Sequence, residues 1–224
     1  MPDQQTIAAV ILAAGKSERM QYPKTLLIFG KETVVDRVIR ICTEAGCEPV
    51  IVVLGHEEER IRSNASLAGA LVVRNEAFES GRTTSLQAGL RALPETARAF
   101  VLFPVDHPLV EVSTLASLIS AYRESGKPLV VPVSDGKRGH PVVCDRSLIA
   151  EFLALGPDAP ARDVTGRDPS RVAIVQTDDQ EILGDLDLPA DYHRALEVYS
   201  ARGGEAGFLA RKGAGRPAPK RPPV

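Results

Sequence analysis

Residues 7–12, Ile-Ala-Ala-Val-Ile-Leu, form an apolar run with no polar side chain, and this run with the small residues and cations after it limits the folds the chain can enter. Six such residues suit a strand buried on both faces, the usual state of strands in parallel sheets covered by helices. The run empties into Ala13, Ala14 and Gly15, after which three cations, Lys16, Arg19 and Lys24, fall within ten positions. Small residues let the backbone approach a ligand closely, glycine can take φ > 0, and successive N–H groups in such a turn make a concave nest for phosphate oxygens. Gly15 can take that conformation, and Arg19 and Lys24 would then supply the mobile positive charge. An ordinary strand-to-helix turn with solvated cations uses the same residues, so this stretch alone leaves both possibilities open.

Two better-known phosphate loops are excluded by spacing. Gly15-Lys16-Ser17 has the ending of a Walker A loop, but that motif needs a glycine five places before its second one, and Val10 stands there. The dinucleotide fingerprint G-x-G-x-x-G fails as well, because Gly15 is the only glycine between Met1 and Phe29.

Strand and helix patterns then alternate. Thr33 to Ala45 carries a helical apolar face with Gly46 suited to its C-cap, and Pro49 to Leu54 is a β-branched run. A charged helix from Gly55-His56 to about Ala65 and a short strand at Ala70 to Val73 come next. Further strands are expected at Ala99 to Phe103, Leu129 to Pro132, Pro141 to Cys144 and Val172 to Gln176. Helices are expected at Val112 to Tyr122, Ser147 to Leu155, Asp158 to Thr165 and a last one ending near Tyr199. This order describes an α/β, Rossmann-like, doubly wound sheet, mostly parallel, with one late antiparallel strand assigned to Val172–Gln176.

Three further segments carry chemistry. Arg74 to Leu90 ends a polar stretch in Gly81 and hydroxyl residues and opens an apolar-periodic helix, which suits either a helix N-terminus aimed at an anion or a capped surface helix. Asp106 lies just past the carboxyl end of a buried strand, where open α/β sheets place ligands, with Pro104 and Pro108 stiffening its turn. It also suits the simpler role of a turn former or helix cap. Asp185-Leu186-Asp187 puts two carboxylates on one side of an extended segment, or caps the last helix. His140, in the glycine-rich excursion from Ser134 to Val143, is open to a bound ligand and equally to a backbone carbonyl that holds the turn.

Taken in order, these segments resemble the MobA-like nucleotidyltransferases. Leu12-Ala13-Ala14-Gly15-x-Ser17-x-Arg19-Met20-x-x-Pro23-Lys24 is similar to the signature L-A-A-G-x-S-x-R-M-G-x-P-K of the molybdenum cofactor cytidylyltransferase branch, with Gln21 in place of the glycine after methionine. Asn75, Gly81, Ser85, Leu86 and Gly89 match a segment that lines the nucleotide pocket in that family, while Arg82 replaces a methionine and either adds a cation or points outward. Asp106-His107-Pro108 resembles the D-x-P motif whose aspartate binds the catalytic metal. His107 is read as a neighbour, since hard Mg²⁺ prefers oxygen. Asp185 to Asp191 resembles D-x-D-T-P-E-D with Leu188 for threonine, which favours Asp187 as the second metal ligand and keeps Asp185 as the alternate.

The resemblance implies a sheet of the nucleotide-diphospho-sugar transferase type. It assigns Leu12, Ala13, Ala14, Gly15, Ser17, Arg19, Lys24, Asn75, Gly81 and Ser85 to the nucleotide, Arg19, Lys24 and Asp106 to catalysis, Asp106 and Asp187 to Mg²⁺, and His140 to the acceptor side. The implied reaction moves a nucleoside monophosphate onto a phosphorylated acceptor. Ala14 leans towards CTP, and the branch implies the molybdenum cofactor as acceptor and a molybdoenzyme as partner. A sugar phosphate or another small phosphorylated acceptor, and a non-catalytic nucleotide-binding accessory role, are the alternatives.

Bulk properties bound the rest. The 224 residues suit one domain, taken as 1–202, followed by a basic Gly/Pro-rich tail, 203–224, too poor in large apolar groups to order itself. From Ala201 onward there are six basic residues and one acidic, so the first 200 residues hold 21 basic against 28 acidic. A mildly acidic body gives no nucleic-acid footprint. No apolar run approaches membrane-span length and the start leaves no room for a signal peptide, so a cytoplasmic location is expected. Cys42, Cys47 and Cys144 lack metal or C-x-x-C spacing and are expected as buried reduced thiols.

Overall fold

The computed structural model describes residues 6–204. In chain order the elements are β1 (Thr6–Leu12), β2 (Ile28–Phe29), β3 (Glu32–Thr33), α1 (Val34–Glu44), β4 (Val50–Leu54), α2 (Glu58–Asn64), β5 (Ala70–Arg74), α3 (Arg82–Arg91), β6 (Ala97–Pro104), α4 (Val112–Ser125), β7 (Leu129–Ser134), β8 (Lys137–Arg138), β9 (Val142–Asp145), α5 (Ile149–Leu153), α6 (Arg162–Thr165), β10 (Val172–Gln176) and α7 (Pro189–Ala201). The main sheet runs β10-β7-β9-β6-β1-β4-β5, with β8 paired to β7.

The apolar run 7–12 becomes the centre of this sheet. β1 pairs in parallel with β4 and β6, Leu12 lying opposite Val53 on one side and Pro104 on the other. Its side chains alternate between two apolar layers. Ala9 and Ile11 join the layer holding Val35, Val38, Leu115 and Ala195, from α1, α4 and α7; Ala8 and Val10 join Leu86, Leu90 and Phe152, from α3 and α5. A strand with helices on both faces needs no polar side, which is why the run contains none. α3 approaches the sheet closely at Gly89, where an added Cβ would collide with Val10 and Val53.

The reversed strand is β9, not β10. β9 pairs antiparallel with both β6 and β7, whereas β10 pairs in parallel with β7 at the sheet edge. Connection length explains this. Only residues 135–141 separate β7 from β9, room for a hairpin-like return, while residues 146–171 before β10 allow a full crossover. The predicted helix at 158–165 is confined to Arg162–Thr165, and the small β2–β3 hairpin is too short to leave a periodic signal. All three cysteines are buried free thiols. Among the described residues no helix is long and apolar enough to cross a membrane. Past Gly204, the expected basic tail lies outside the described residues.

Candidate active site

The ends of β1 and β6 open side by side, tied by the Val105 N–H donating to the Leu12 carbonyl at 3.1 Å. After β1 the chain leaves the ladder through Ala13, whose N–H still reaches Val53 O at 3.0 Å. The next six backbone N–H groups, Ala14 to Arg19, donate to no acceptor among the described residues. The left-handed positions in this loop are Ser17 (φ 52°) and Gln21 (φ 53°); Gly15, which could take φ > 0, does not. The space beside it is open, since a Cβ built there meets nothing within 4 Å. Ser17 closes the loop, its Oγ accepting from the Lys24 N–H at 3.1 Å. Gln21 holds the conformation that the family's glycine would take without strain.

All three loop cations are paired with carboxylates from distant segments. Lys24 Nζ sits 2.5 Å from Asp187 Oδ1 and 3.6 Å from Asp106 Oδ2. Arg19 donates to the other Asp187 oxygen at 2.5 Å, and Lys16 reaches Glu79 at 2.8 Å. Since both carboxylates touch one ammonium nitrogen, the contacting oxygens of Asp106 and Asp187 lie no further apart than the sum of the two distances, 6.1 Å. The Lys24 hydrogen bond and the Lys24 and Arg19 charges outweigh partial burial and hold the Asp187 carboxyl below its ordinary range.

The convergence is built by backbone. Leu186 N–H donates to Asp106 O at 2.9 Å, joining the 184–188 segment to the end of β6. Asp191, in the first turn of α7 behind Pro189, accepts from the N–H groups of Asp187 and Leu188 at 2.9 and 2.6 Å and so aims Asp187. Asp185 does not share that face. The segment is turned, with the Asp185 N–H donating to Leu183 O, and the Asp185 charge acts on Arg194 instead.

On the far side of Asp106 stands an imidazole pair. His107 and His140 have ring centroids 5.3 Å apart, and His107 Nε2 lies 3.8 Å from Asp106 Oδ1. Asp106 Oδ1, His107 Nδ1 and His140 Nδ1 are all buried without a hydrogen-bond partner. The turn at 140 is held by its backbone, His140 N–H to Ile182 O at 2.9 Å, and its side chain bonds no carbonyl among the described residues. Burial, reinforced by His107 and opposed by Asp106, pulls the His140 pKa down to about 4, so the ring is neutral at pH 7.

The second expected nucleotide segment is brought to the same end of the sheet, but its polar groups are largely used internally. Asn75 Nδ2 donates to Thr84 Oγ1 and Ser85 Oγ at 2.9 and 3.0 Å, and its Oδ1 accepts from Ala77 N–H at 3.0 Å. The N-terminus of α3 is partly closed, while the Gly81 and Arg82 N–H groups donate to no acceptor among the described residues. Thr83 N–H donates to Pro157 O at 3.1 Å and the Thr83 hydroxyl bonds Ala159 O, so the 157–159 segment caps the helix. Gly81 is packed beneath that segment, and Arg82 is exposed with no ion pair among the described residues.

Glu79, Asp191 and the Pro157–Ala159 cap were not among the expected site residues. Asp191 had a legible signal, an acidic residue two places after a proline that opens a helix. Glu79 and Pro157 had none, because their partners are fixed only by the fold.

The sequence matches the MobA-like NTP transferase domain over residues 9–174. The chain belongs to the MobA-like NTP transferase family. It is 32% identical over 168 residues to the bifunctional protein GlmU of Neisseria gonorrhoeae, an alignment covering 74% of this chain and 36% of that protein. To a protein of Opitutus terrae named "Probable molybdenum cofactor guanylyltransferase" it is 34% identical over 131 residues, 58% of this chain and 62% of that one. The chain therefore spans only about a third to three fifths of the length of these relatives. Among solved structures, the Rv0371c protein of Mycobacterium tuberculosis superposes with a TM-score of 0.74 at 29% identity, covering 86% of this chain and 98% of that one. A manganese complex of the same protein gives 0.70 at 28% identity with the same coverage.

Proposed function

We propose that this MobA-like chain is a nucleotidyltransferase that moves CMP from CTP onto the phosphate of the molybdenum cofactor and releases pyrophosphate. The observation that carries this is the single Lys24 ammonium lying 2.5 Å from Asp187 and 3.6 Å from Asp106, at the mouth of a loop with six undonated N–H groups. The loop from Ala13 to Lys24 cradles the triphosphate, and Arg19 and Lys24 balance negative charge as pyrophosphate departs. An acceptor phosphate oxygen forms the new bond to the α-phosphorus while the bond to the β-phosphate oxygen breaks. An anionic nucleophile needs no strong general base, so no serine or cysteine arrangement is called for. Neutral His140, backed by His107, lines the acceptor side.

Asp106 and Asp187 would hold Mg²⁺. The donor set fits such an ion: Asp106 offers a buried oxygen that nothing else satisfies, and Mg²⁺ is bound through one or two carboxylates, with water and substrate phosphate completing its shell. Bound there, Mg²⁺ supplies neutralisation of charge at the transferring phosphate. The manganese complex of the mycobacterial relative supports a divalent ion in this fold. CTP and the molybdenum cofactor rest on the resemblance of the 12–24 loop, and the Opitutus terrae relative supports that acceptor. A molybdoenzyme would be the recipient of the product.

The test is turnover with CTP, Mg²⁺ and molybdenum cofactor. Asp106→Ala should abolish it with the fold retained, and near-normal turnover would refute the metal role. Pyrophosphate release measured across four NTPs and several acceptors, sugar phosphates included, identifies the substrates. Binding without release in every combination would favour a non-catalytic accessory protein.

A further inference from the structure

Both carboxylates assigned to the metal face the Lys24 ammonium, although Asp106 Oδ1 stays unpartnered. Asp187 has both oxygens engaged, Oδ1 by Lys24 and Oδ2 by Arg19, each at 2.5 Å. Asp106 Oδ2 faces the same Lys24 nitrogen at 3.6 Å. The Lys24 side chain is only 14% exposed, and its ammonium faces both of these acids. The two acids and two cations balance. A divalent ion added to this arrangement would leave two excess positive charges in a half-buried site, and at short range in a medium of reduced dielectric that is strongly unfavourable.

A triphosphate changes the balance. It brings several negative charges to the undonated N–H groups of Ala14 to Arg19, on the loop that carries both cations, and so offers Lys24 and Arg19 an alternative partner. We propose that Lys24 is the resident cation of the metal site, closing it against divalent ions until a nucleoside triphosphate draws the ammonium away. One side chain then serves as phosphate ligand in one state and as internal competitor of the metal in the other. Metal and nucleotide must bind with positive coupling, since each removes what opposes the other. This inference rests on the assignment of Asp106 and Asp187 to the metal.

The full-length chain, without nucleotide, is titrated with Mn²⁺ alone, free Mn²⁺ being read from its paramagnetic resonance signal. Wild type should bind weakly. Lys24→Met, which keeps the apolar stem and removes the charge, should bind Mn²⁺ about 10- to 100-fold more tightly, the factor that a charge-assisted hydrogen bond represents. Lys24→Gln should behave alike, and adding Asp106→Asn to either variant should remove the gain. If Lys24→Met and Lys24→Gln bind no more tightly than wild type while Asp106→Asn weakens all three, the metal site stands and the closure by Lys24 is overturned. If Asp106→Asn changes Mn²⁺ binding in none of them, the metal assignment has failed and the inference falls with it.

Discussion

Two glycines that look interchangeable in the sequence should separate stability from ligand binding. Gly81 sits at φ +136°, ψ 156°, a region essentially reserved for glycine, where other residues store about 1–3 kcal/mol. A Cβ there would also come closer than 3.0 Å to the Pro157 carbonyl and lie 2.7 Å from Asp158 Oδ1. The carbonyl is backbone that already accepts from Thr83, so it cannot turn aside, and overpacking of this kind costs about 1–3 kcal/mol. Alanine's restriction of the unfolded chain returns only about 0.4–1 kcal/mol. Gly81→Ala should therefore destabilise the protein by roughly 2–5 kcal/mol. In urea, followed by far-UV circular dichroism, that lowers the midpoint by about 1–2.5 M for a slope near 2 kcal/mol/M. At Gly15 the φ is not left-handed and an added Cβ meets nothing within 4 Å, so Gly15→Ala should leave the midpoint almost unmoved. Its methyl group would instead stand in the space given to the triphosphate, and nucleotide affinity should fall. A Gly81→Ala midpoint within about 0.3 M of wild type would refute the packing account. Undiminished nucleotide binding by Gly15→Ala would refute the cradle.

Relief of the left-handed strain at Gln21, about 1–2 kcal/mol, exceeds the roughly 0.5–1 kcal/mol that glycine's extra unfolded freedom costs, so Gln21→Gly should stabilise modestly; a lower melting temperature would contradict this. His140 has a folded pKa near 4 against 6.5 unfolded, so its contribution is complete above pH 6.5 and is lost as pH falls towards 4. That loss amounts to as much as about 3 kcal/mol, and His140→Phe should flatten the stability curve across this interval; an unchanged slope would show that another group titrates there. Cys42, Cys47 and Cys144 are buried, and burial pushes the Cys42 and Cys144 thiols upward, so a water-soluble disulfide reagent should label none of the three before unfolding. Labelling of the native chain at the rate of a free thiol would count against it.

What could be read from the chain beforehand divides along a physical line. β1 and β4 were legible because burial on both faces demands continuous apolar runs, and Asp106 because the end of such a run marks where ligands sit. Strand direction was not, since residues 142–145 and 172–176 carry the same β-branched composition and only the length of chain before each decides how it lies. Composition pointed to the loop cations, but the contact from Lys24 to Asp187 spans 163 positions and appears only once α7 is docked. The choice between Asp185 and Asp187 depended on a turn at Leu183 that replaces the extended backbone that alternation assumes. Gly81 and Ser85 matched a nucleotide-lining pattern, yet the Pro157 carbonyl that caps the helix belongs to a segment whose partner no local signal names.

The reversed direction of β9 has a consequence for how this sheet can change. The strands that run parallel to β1 deliver their last residues to the rim that bears the candidate site, but β9 delivers its first, so His140 arrives by way of the 135–141 turn and not from a strand end. That turn can lengthen, shorten or be rewritten while the β1 and β6 registers that set the phosphate side stay fixed. One wall is thereby open to revision under a constant floor, which under the proposed reaction would let the scaffold keep its donor and exchange its acceptor.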